Sequence, residues 1–106
     1  LDYPSAENEL RILKLKAPSA TEKLSKEIVK FVQSLRSMDL YKQPGVAETI
    51  DWASSLVQLD KISLDPETVN DTLGALLKYQ DDIIKIQGSE AALILEQINA
   101  EIAAKQ

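Results

Sequence analysis

The amino-acid sequence predicts an all-α fold, and three observations lead to this prediction. Apolar residues recur at three- and four-residue spacing, whereas the alternation typical of a strand never lasts more than a few residues. The few glycines and prolines lie between these periodic segments. Several of the segments open on residues that cap helices. We therefore expect a few long helices joined by short connections.

The first two helices are predicted from their boundaries and apolar stripes. The first begins near Ser5 and ends before Pro18, because a residue that precedes proline is pushed out of the α region. Ser19–Glu22 matches a capping box, in which the serine caps a free N–H and the glutamate reaches back. The second helix, over residues 20–38, runs to about Met38. The stripes consist of Ala6, Leu10, Leu13 and Ala17, then Leu24, Ile28, Phe31, Val32 and Leu35.

Pro44 and Gly45 precede a third helix over residues 46–59. Its inner face is formed by Val46, Ile50, Ala53 and Leu56, with Leu59 near its end and Trp52 on a flank.

Asp65, Pro66 and Glu67 match an N-cap, a first-turn proline and a first-turn acid, so a fourth helix is predicted over residues 66–80. Its apolar stripe consists of Val69, Leu73, Leu76 and Leu77. The residues predicted to be buried together in the core are Phe31, Leu35, Ile50, Ala53, Leu73 and Leu76. Gly74 inside it either allows close approach of another helix or has no special role. Asp81 and Asp82 indicate an end or a turn, because acids are unfavourable near a helix C-terminus. Ser89 is predicted to cap a fifth helix, on which Ala91, Ile94, Ile98 and Ile102 share one face.

Composition excludes several classes of function. The chain has 106 residues, enough for one domain, and contains neither cysteine nor histidine. Disulfides, thiol catalysis, the usual zinc sites and Ser-His-Asp triads are therefore excluded. The net charge of −5 argues against nucleic acid as a partner. The densest basic group (Lys14, Lys16, Lys23, Lys26 and Lys30) is interrupted by Glu22 and Glu27, as on a solvated helix face.

No apolar run reaches the roughly 18 residues that a membrane span needs, so we expect no membrane partner. No signal peptide is visible, and we expect a cytoplasmic location. Because the chain begins with Leu1 and not with Met, we expect it to be either a piece cut from a longer protein or a processed product.

The acidic residues do not form a convincing metal or catalytic site. Asp65, Glu67, Asp71 and the Asp81–Asp82 pair lack the spacing of a calcium-binding loop, and capping explains Asp65 better. Glu48 and Asp51 could do acid–base work, but acids are common at the start of a helix without any chemistry. We therefore predict no catalytic residue and no metal site in this chain.

Three ordered segments resemble the C-terminal lid of MoxR-type AAA+ ATPases. The most specific is LYKQPGVAETIDWA at residues 40–53. The runs LDPETV at 64–69 and TLGALLKY at 72–79 resemble the next lid helix. The opening Asp2–Pro4, followed by Glu7–Leu13, resembles the hinge that leaves the ATPase core. The resemblance covers residues 2–82.

This resemblance implies a four-helix lid-type bundle at residues 1–82. Residues 83–106 lie outside the resemblance and are predicted to form a C-terminal extension with the additional fifth helix. The lid would close over ATP and Mg²⁺ bound by a core domain of the same chain, in a ring with neighbouring subunits. It would couple hydrolysis to chaperone-like remodelling, or metal-cofactor maturation, of a client protein. This chain itself is then not an enzyme, whereas its parent is an ATPase. The alternative is a stand-alone helical protein-interaction module whose last helix docks a partner.

The residues predicted to face the nucleotide are Tyr3, Pro4, Lys42, Pro44, Gly45, Val46 and Ala47. Free N–H groups at the start of the third helix carry a partial positive charge suited to phosphate. Val46 offers an apolar surface for adenine, and Lys42 is the nearby cation. The arginine by which many such lids sense the γ-phosphate would align with Ala47, and no arginine follows Arg36. Lys42 either replaces that arginine or this lid lacks the sensor; alternatively, Pro44–Gly45 is only a turn and Val46 belongs to the core.

Overall fold

The computed structural model describes residues 3–105 and confirms the all-α class, since it contains helices and no strand within that range. Asp2, which belongs to the predicted hinge, lies outside the described residues. The elements are α1 (Ala6–Lys16), α2 (Glu22–Arg36), α3 (Val46–Gln58), α4 (Pro66–Thr72), a 3-10 turn (Leu73–Ala75), α5 (Gln80–Ile86) and α6 (Ser89–Ala104).

The first helix starts where its cap predicts. The hydroxyl of Ser5 accepts the N–H of Asn8 at 3.1 Å, which satisfies one of the free donors of the first turn. Acids occupy the first turn and lysines the last, as the helix dipole favours.

The predicted capping box at Ser19 is wrong, because Thr21 caps α2 instead. The Thr21 hydroxyl accepts the N–H of Leu24 at 3.1 Å. Ser19 lies two residues before this N-cap, in a turn that is closed by the bond from the Ala20 N–H to the Ala17 carbonyl at 3.1 Å. The helix also ends at Arg36 rather than Met38, because the next N–H groups bond carbonyls only three residues back.

Trp52 is not on a flank of α3 but fully buried, which corrects the prediction. Its ring packs against Phe31 with 5.3 Å between ring centroids. Its indole N–H donates to the Thr72 hydroxyl at 2.7 Å, so burial leaves no polar atom of this side chain without a partner.

The fourth helix predicted over residues 66–80 is wrong beyond Thr72. The Thr72 hydroxyl bonds back to the Thr68 carbonyl at 2.8 Å, a contact that competes with the helical ladder. The N–H groups of Leu76 and Leu77 both reach the Leu73 carbonyl at 3.0 Å, which closes the 3-10 turn. Gly74 does not serve a close helix approach, since nothing lies within 4 Å of the position a Cβ would take.

The turn is followed by α5, a helix that the sequence did not predict, and this changes the position of Asp81 and Asp82. Asp81 and Asp82 lie in the first turn of α5 rather than at the end of a long helix. Negative charge is favourable there.

Gly88, and not Ser89 as predicted, occupies the N-cap of α6. Gly88 has a φ of 78°, a left-handed conformation that glycine adopts without steric cost. The apolar face of α6, formed by Ala91, Ile94, Leu95 and Ile98, is buried within this chain, and α6 packs on α2, α4 and α5.

The core lies around α2, which contacts α1, α3 and α6. Of the residues predicted to be buried together, Phe31, Leu35, Ala53, Leu73 and Leu76 are at most 1% exposed, while Ile50 is only partly buried. Other core residues are Leu13, Leu24, Ile28, Val32, Trp52, Leu56, Val69 and Ile86.

The predicted domain boundary after residue 82 falls inside α5, and the apolar cluster includes residues from both sides of it. The boundary stays a prediction, since it marks the extent of the resemblance. Among residues 3–105, no helix combines the length and the apolar character that crossing a membrane requires.

Candidate functional site

The connection between α2 and α3 contains most of the residues predicted to face a nucleotide, and a buried carboxylate holds it in place. Asp82 is 2% exposed and accepts the N–H of Tyr41 at 2.9 Å and that of Lys42 at 3.1 Å. The Gln43 amide donates to the Met38 carbonyl at 3.1 Å, which closes the connection on itself. The backbone at Lys42 is therefore fixed, while its side chain is exposed.

The start of α3 is capped by its own acid. Glu48 accepts the N–H of Gly45 at 2.9 Å, and the first helical bond runs from the Thr49 N–H to the Gly45 carbonyl at 3.1 Å. The N–H groups of Val46 and Ala47 precede that first bond, so the helical ladder gives them no partner. Ala47 is exposed and Val46 is half-buried. Val46 is thus neither a full core residue nor a fully exposed one.

A buried ion pair between Glu9 and Arg36 contacts the residues at the start of α3. The two terminal nitrogens of Arg36 donate to the two carboxylate oxygens of Glu9, both at 2.7 Å, and the side chains are 6% and 1% exposed. Glu9 also accepts from the Gln33 amide at 3.0 Å and from the Thr49 hydroxyl at 2.9 Å. These four residues, Glu9, Gln33, Arg36 and Thr49, form what we call the Glu9–Arg36 cluster, which joins α1, α2 and α3.

Arg36 brings together the two predicted parts of the site. Its Nε donates to the Pro44 carbonyl at 2.8 Å, and its Cζ lies 4.3 Å from the centroid of the Tyr3 ring. Tyr3 is 44% exposed and Pro4 is half-buried beside it in sequence. The segment that enters α1 and the turn that enters α3 therefore meet at one guanidinium group.

The charges at the start of α3 are mixed. Lys78 Nζ lies 3.8 Å from the second carboxylate oxygen of Glu48, so a second lysine besides Lys42 belongs to this surface. Next to it, the exposed rings of Tyr41 and Tyr79 are 6.0 Å apart between centroids.

These residues fit a nucleotide in part. The two lysines, the amides of Val46 and Ala47 and the aromatic rings suit phosphate and a base, whereas the Glu48 carboxylate competes with phosphate at the cap. No group of three or more residues suited to hold a metal ion occurs within residues 3–105.

Two of the acids that the sequence singled out, Asp65 and Glu48, act as helix caps. Asp65 accepts the Thr68 N–H at 2.9 Å and its hydroxyl at 3.0 Å. The bond from the Thr68 backbone holds the pKa of Asp65 below its ordinary value. Glu48 caps α3, as described above, and Asp51 is exposed one turn later.

Sequence reasoning missed Glu9, Arg36, Asp82 and Lys78. A signal for the first two was present: Glu9 lies three residues after Ala6 and four before Leu13, on the apolar stripe of α1. Arg36 follows Val32 by four residues and so shares the apolar face of α2. A charged residue on an apolar stripe is rarely buried without a partner, so each predicts one.

Comparisons with known proteins identify no relative. No protein-family model matches the sequence, and searches of curated proteins and of solved structures find no match. The resemblance of residues 2–82 to a MoxR-type lid therefore rests on the sequence segments alone.

Proposed function

We propose that this chain is the lid subdomain of a MoxR-like AAA+ ATPase. In this role it closes over ATP bound by a core domain of the parent protein and couples hydrolysis to remodelling, or metal-cofactor maturation, of a client protein. The observation that carries the proposal is the segment at residues 40–53, whose sequence resembles the family and whose turn lies beside Tyr3. A core domain that precedes α1 would then join the chain next to this turn.

The contacts of the turn support a role in closing over a nucleotide. Asp82 and Arg36 hydrogen-bond the backbone on both sides of Gln43, so the backbone positions from which Lys42 and Val46 extend are held in place. Preorganised groups bind a ligand at a lower entropic cost than mobile ones. The phosphate and Mg²⁺ chemistry belongs to the core domain, while Lys42 and Val46 supply contacts to the nucleotide edge.

The rival function, a helix that docks an unknown partner, has no specific observation in its favour. The apolar face of α6 is buried against α2, α4 and α5, so it is not available for a partner in this conformation.

The test uses the full-length parent protein with Lys42→Ala and Val46→Asp. We expect both substitutions to raise the KM for ATP or lower turnover several-fold. An acid in the first turn is compatible with a helix, so Val46→Asp should not unfold α3. Matched controls are Lys16→Ala, at an exposed lysine of α1, and Ser54→Asp, at an exposed residue of α3 away from its start. Folded variants with the parent's KM and turnover would show that the turn is structural.

Two simpler observations complete the test. The parent reading frame must contain a phosphate-loop motif upstream of Leu1; a frame that starts close to Leu1 would refute the proposal. The isolated chain should show no ATP turnover, because the phosphate loop is absent from its sequence.

A further inference from the structure

Three groups meet at the guanidinium of Arg36, and they come from different parts of the chain. Its terminal nitrogens donate to Glu9 of α1, its Nε donates to the Pro44 carbonyl before α3, and its Cζ lies over the Tyr3 ring, 4.3 Å from the ring centroid. A guanidinium is planar and presents its donors in a rigid fork, so these contacts share one orientation. A change in that orientation alters all of them together.

Two hydrogen bonds connect the start of α3 to the Glu9–Arg36 pair. The first is the hydrogen bond from the Arg36 Nε to the Pro44 carbonyl. The second runs through Glu9, which accepts from the Thr49 hydroxyl at 2.9 Å, while that hydroxyl also lies 3.0 Å from the Gly45 carbonyl. The geometry of Pro44 and Gly45 therefore depends on where the Glu9–Arg36 pair lies.

We propose that Arg36 is a positioning residue that couples Tyr3 to the start of α3. A displacement of the segment that precedes α1 changes the packing of Tyr3 on Arg36, and Arg36 passes this change to the turn at residues 42–47. The use of this coupling to open or close a nucleotide site rests on the proposed function, whereas the coupling itself is a property of this chain.

The exposed position of Tyr3 allows a sharp test. Tyr3 is 44% exposed and lies outside the helices, so removing its ring should leave the core intact. The experiment measures amide hydrogen exchange by NMR on the 106-residue chain, without nucleotide. The variants are Tyr3→Ala, which removes the ring, and Tyr3→Phe, which keeps a ring over the guanidinium. Leu15→Ala, at an exposed residue of α1, is the surface control.

We expect Tyr3→Ala to accelerate exchange at Gly45 and Thr49 by about two- to fivefold, the factor that loss of one cation–π contact allows. Tyr3→Phe and Leu15→Ala should leave the exchange rates of the Gly45 and Thr49 amides unchanged. Amides of Leu95 and Ile98 in α6 serve as the internal reference and should not change in any variant. A purely structural role of Arg36 does not produce this local pattern.

Unchanged exchange at Gly45 and Thr49 in Tyr3→Ala would overturn the coupling, as would an equal acceleration at Leu95 and Ile98. Arg36→Lys adds a second arm, because lysine cannot bond Glu9 in two places and Pro44 at once. It should accelerate exchange at Gly45 and Thr49 more than Tyr3→Ala does, and a folded Arg36→Lys with unchanged exchange contradicts the proposal. If Arg36→Lys does not fold, the comparison of Tyr3→Ala with Tyr3→Phe alone decides whether the coupling exists. Because nucleotide is absent, failure of the ATPase proposal leaves this result intact.

Discussion

The carboxylate of Glu9 and the guanidinium of Arg36 form two hydrogen bonds of 2.7 Å although the residues lie 27 positions apart in the sequence. Both side chains are nearly inaccessible to solvent. Removing charges from water is costly, and the remaining donors to Glu9, from Gln33 and Thr49, help to offset that cost. We therefore expect the pair to specify how α1, α2 and α3 pack together more than it adds net stability.

Breaking this pair from one side should be strongly destabilising. Glu9→Leu or Arg36→Met leaves an uncompensated buried charge, and we expect each to lower the free energy of unfolding by about 3–5 kcal/mol. The double variant should recover a large part of this loss, because it removes both charges. Urea denaturation monitored by circular dichroism measures all three variants.

Arg11→Ala is the matched control for this pair, since Arg11 and Glu7 form an ion pair that is 66% and 84% exposed. Its effect should stay within about 0.5 kcal/mol. Single variants of the buried pair that behave like Arg11→Ala would contradict the assignment.

Leu35 should be among the most sensitive apolar positions of the core. It is fully buried in α2, so Leu35→Ala leaves a cavity and should lower the free energy of unfolding by about 2–5 kcal/mol. Leu15→Ala, at a residue that is 76% exposed, is the control and should have little effect. An unchanged melting temperature for Leu35→Ala would show that the core is assigned wrongly.

Much of the fold could be predicted from the sequence where an apolar stripe and a cap agree. The start of α1 at Ser5 and the start of α4 at Asp65 follow from this agreement. The stripe at Leu73, Leu76 and Leu77 misled, because the three-residue spacing of Leu73 and Leu76 fits a 3-10 turn as well as a helix. The hydrogen bond between Trp52 and Thr72 at this point depends on tertiary packing, which no local pattern contains.

The candidate site was less predictable than the fold. The pattern before α3 indicated a break at Pro44 and Gly45, and in the structure α3 begins at Val46, directly after an extended Gly45. Its anchors are distant in sequence: Asp82 lies 41 positions from Tyr41. A burial pattern can show that Glu9 and Arg36 need partners, but the packing of three helices decides that they pair with each other.

Asp65 should stabilise the chain in a pH-dependent way. Its pKa in the folded state lies below the ordinary value of 3.8, chiefly because the Thr68 N–H bonds the charged form. The stabilisation is therefore present above about pH 4 and is lost as the pH falls through the folded-state pKa. At neutral pH we expect Asp65→Ala to cost about 1 kcal/mol, the usual value of an N-cap.

The measurement compares the free energies of unfolding of Asp65→Ala and the unchanged chain at neutral pH and at about pH 2.5. The difference between them should shrink in acid, since the protonated carboxyl is a weaker acceptor. Asp51→Ala, at an exposed acid within α3, is the control and should show only a small difference at neutral pH. If the free-energy difference between Asp65→Ala and the unchanged chain stays constant or grows in acid, the cap does not act through its charge.

Asp82 should control the order of the α2–α3 connection. Its two oxygens accept separate backbone N–H groups, from Tyr41 and Lys42, and its own N–H bonds the Tyr79 carbonyl at 3.1 Å. Asp82→Asn keeps the size of the side chain but replaces one acceptor by a donor, which then faces an N–H group. We expect this substitution to lower the free energy of unfolding by about 1–3 kcal/mol, the cost of leaving a buried polar group unpaired.

The local readout for Asp82 is the exchange of the Tyr41 and Lys42 amides, which should lose protection while amides in α6 keep theirs. Asp81→Asn is the matched control, because Asp81 is the neighbouring acid in the same first turn but is exposed. Asp81→Asn should leave the exchange rates of the Tyr41 and Lys42 amides and the free energy of unfolding nearly unchanged. If Asp82→Asn and Asp81→Asn behave alike, the connection is held by other contacts, and the turn before α3 does not depend on this carboxylate.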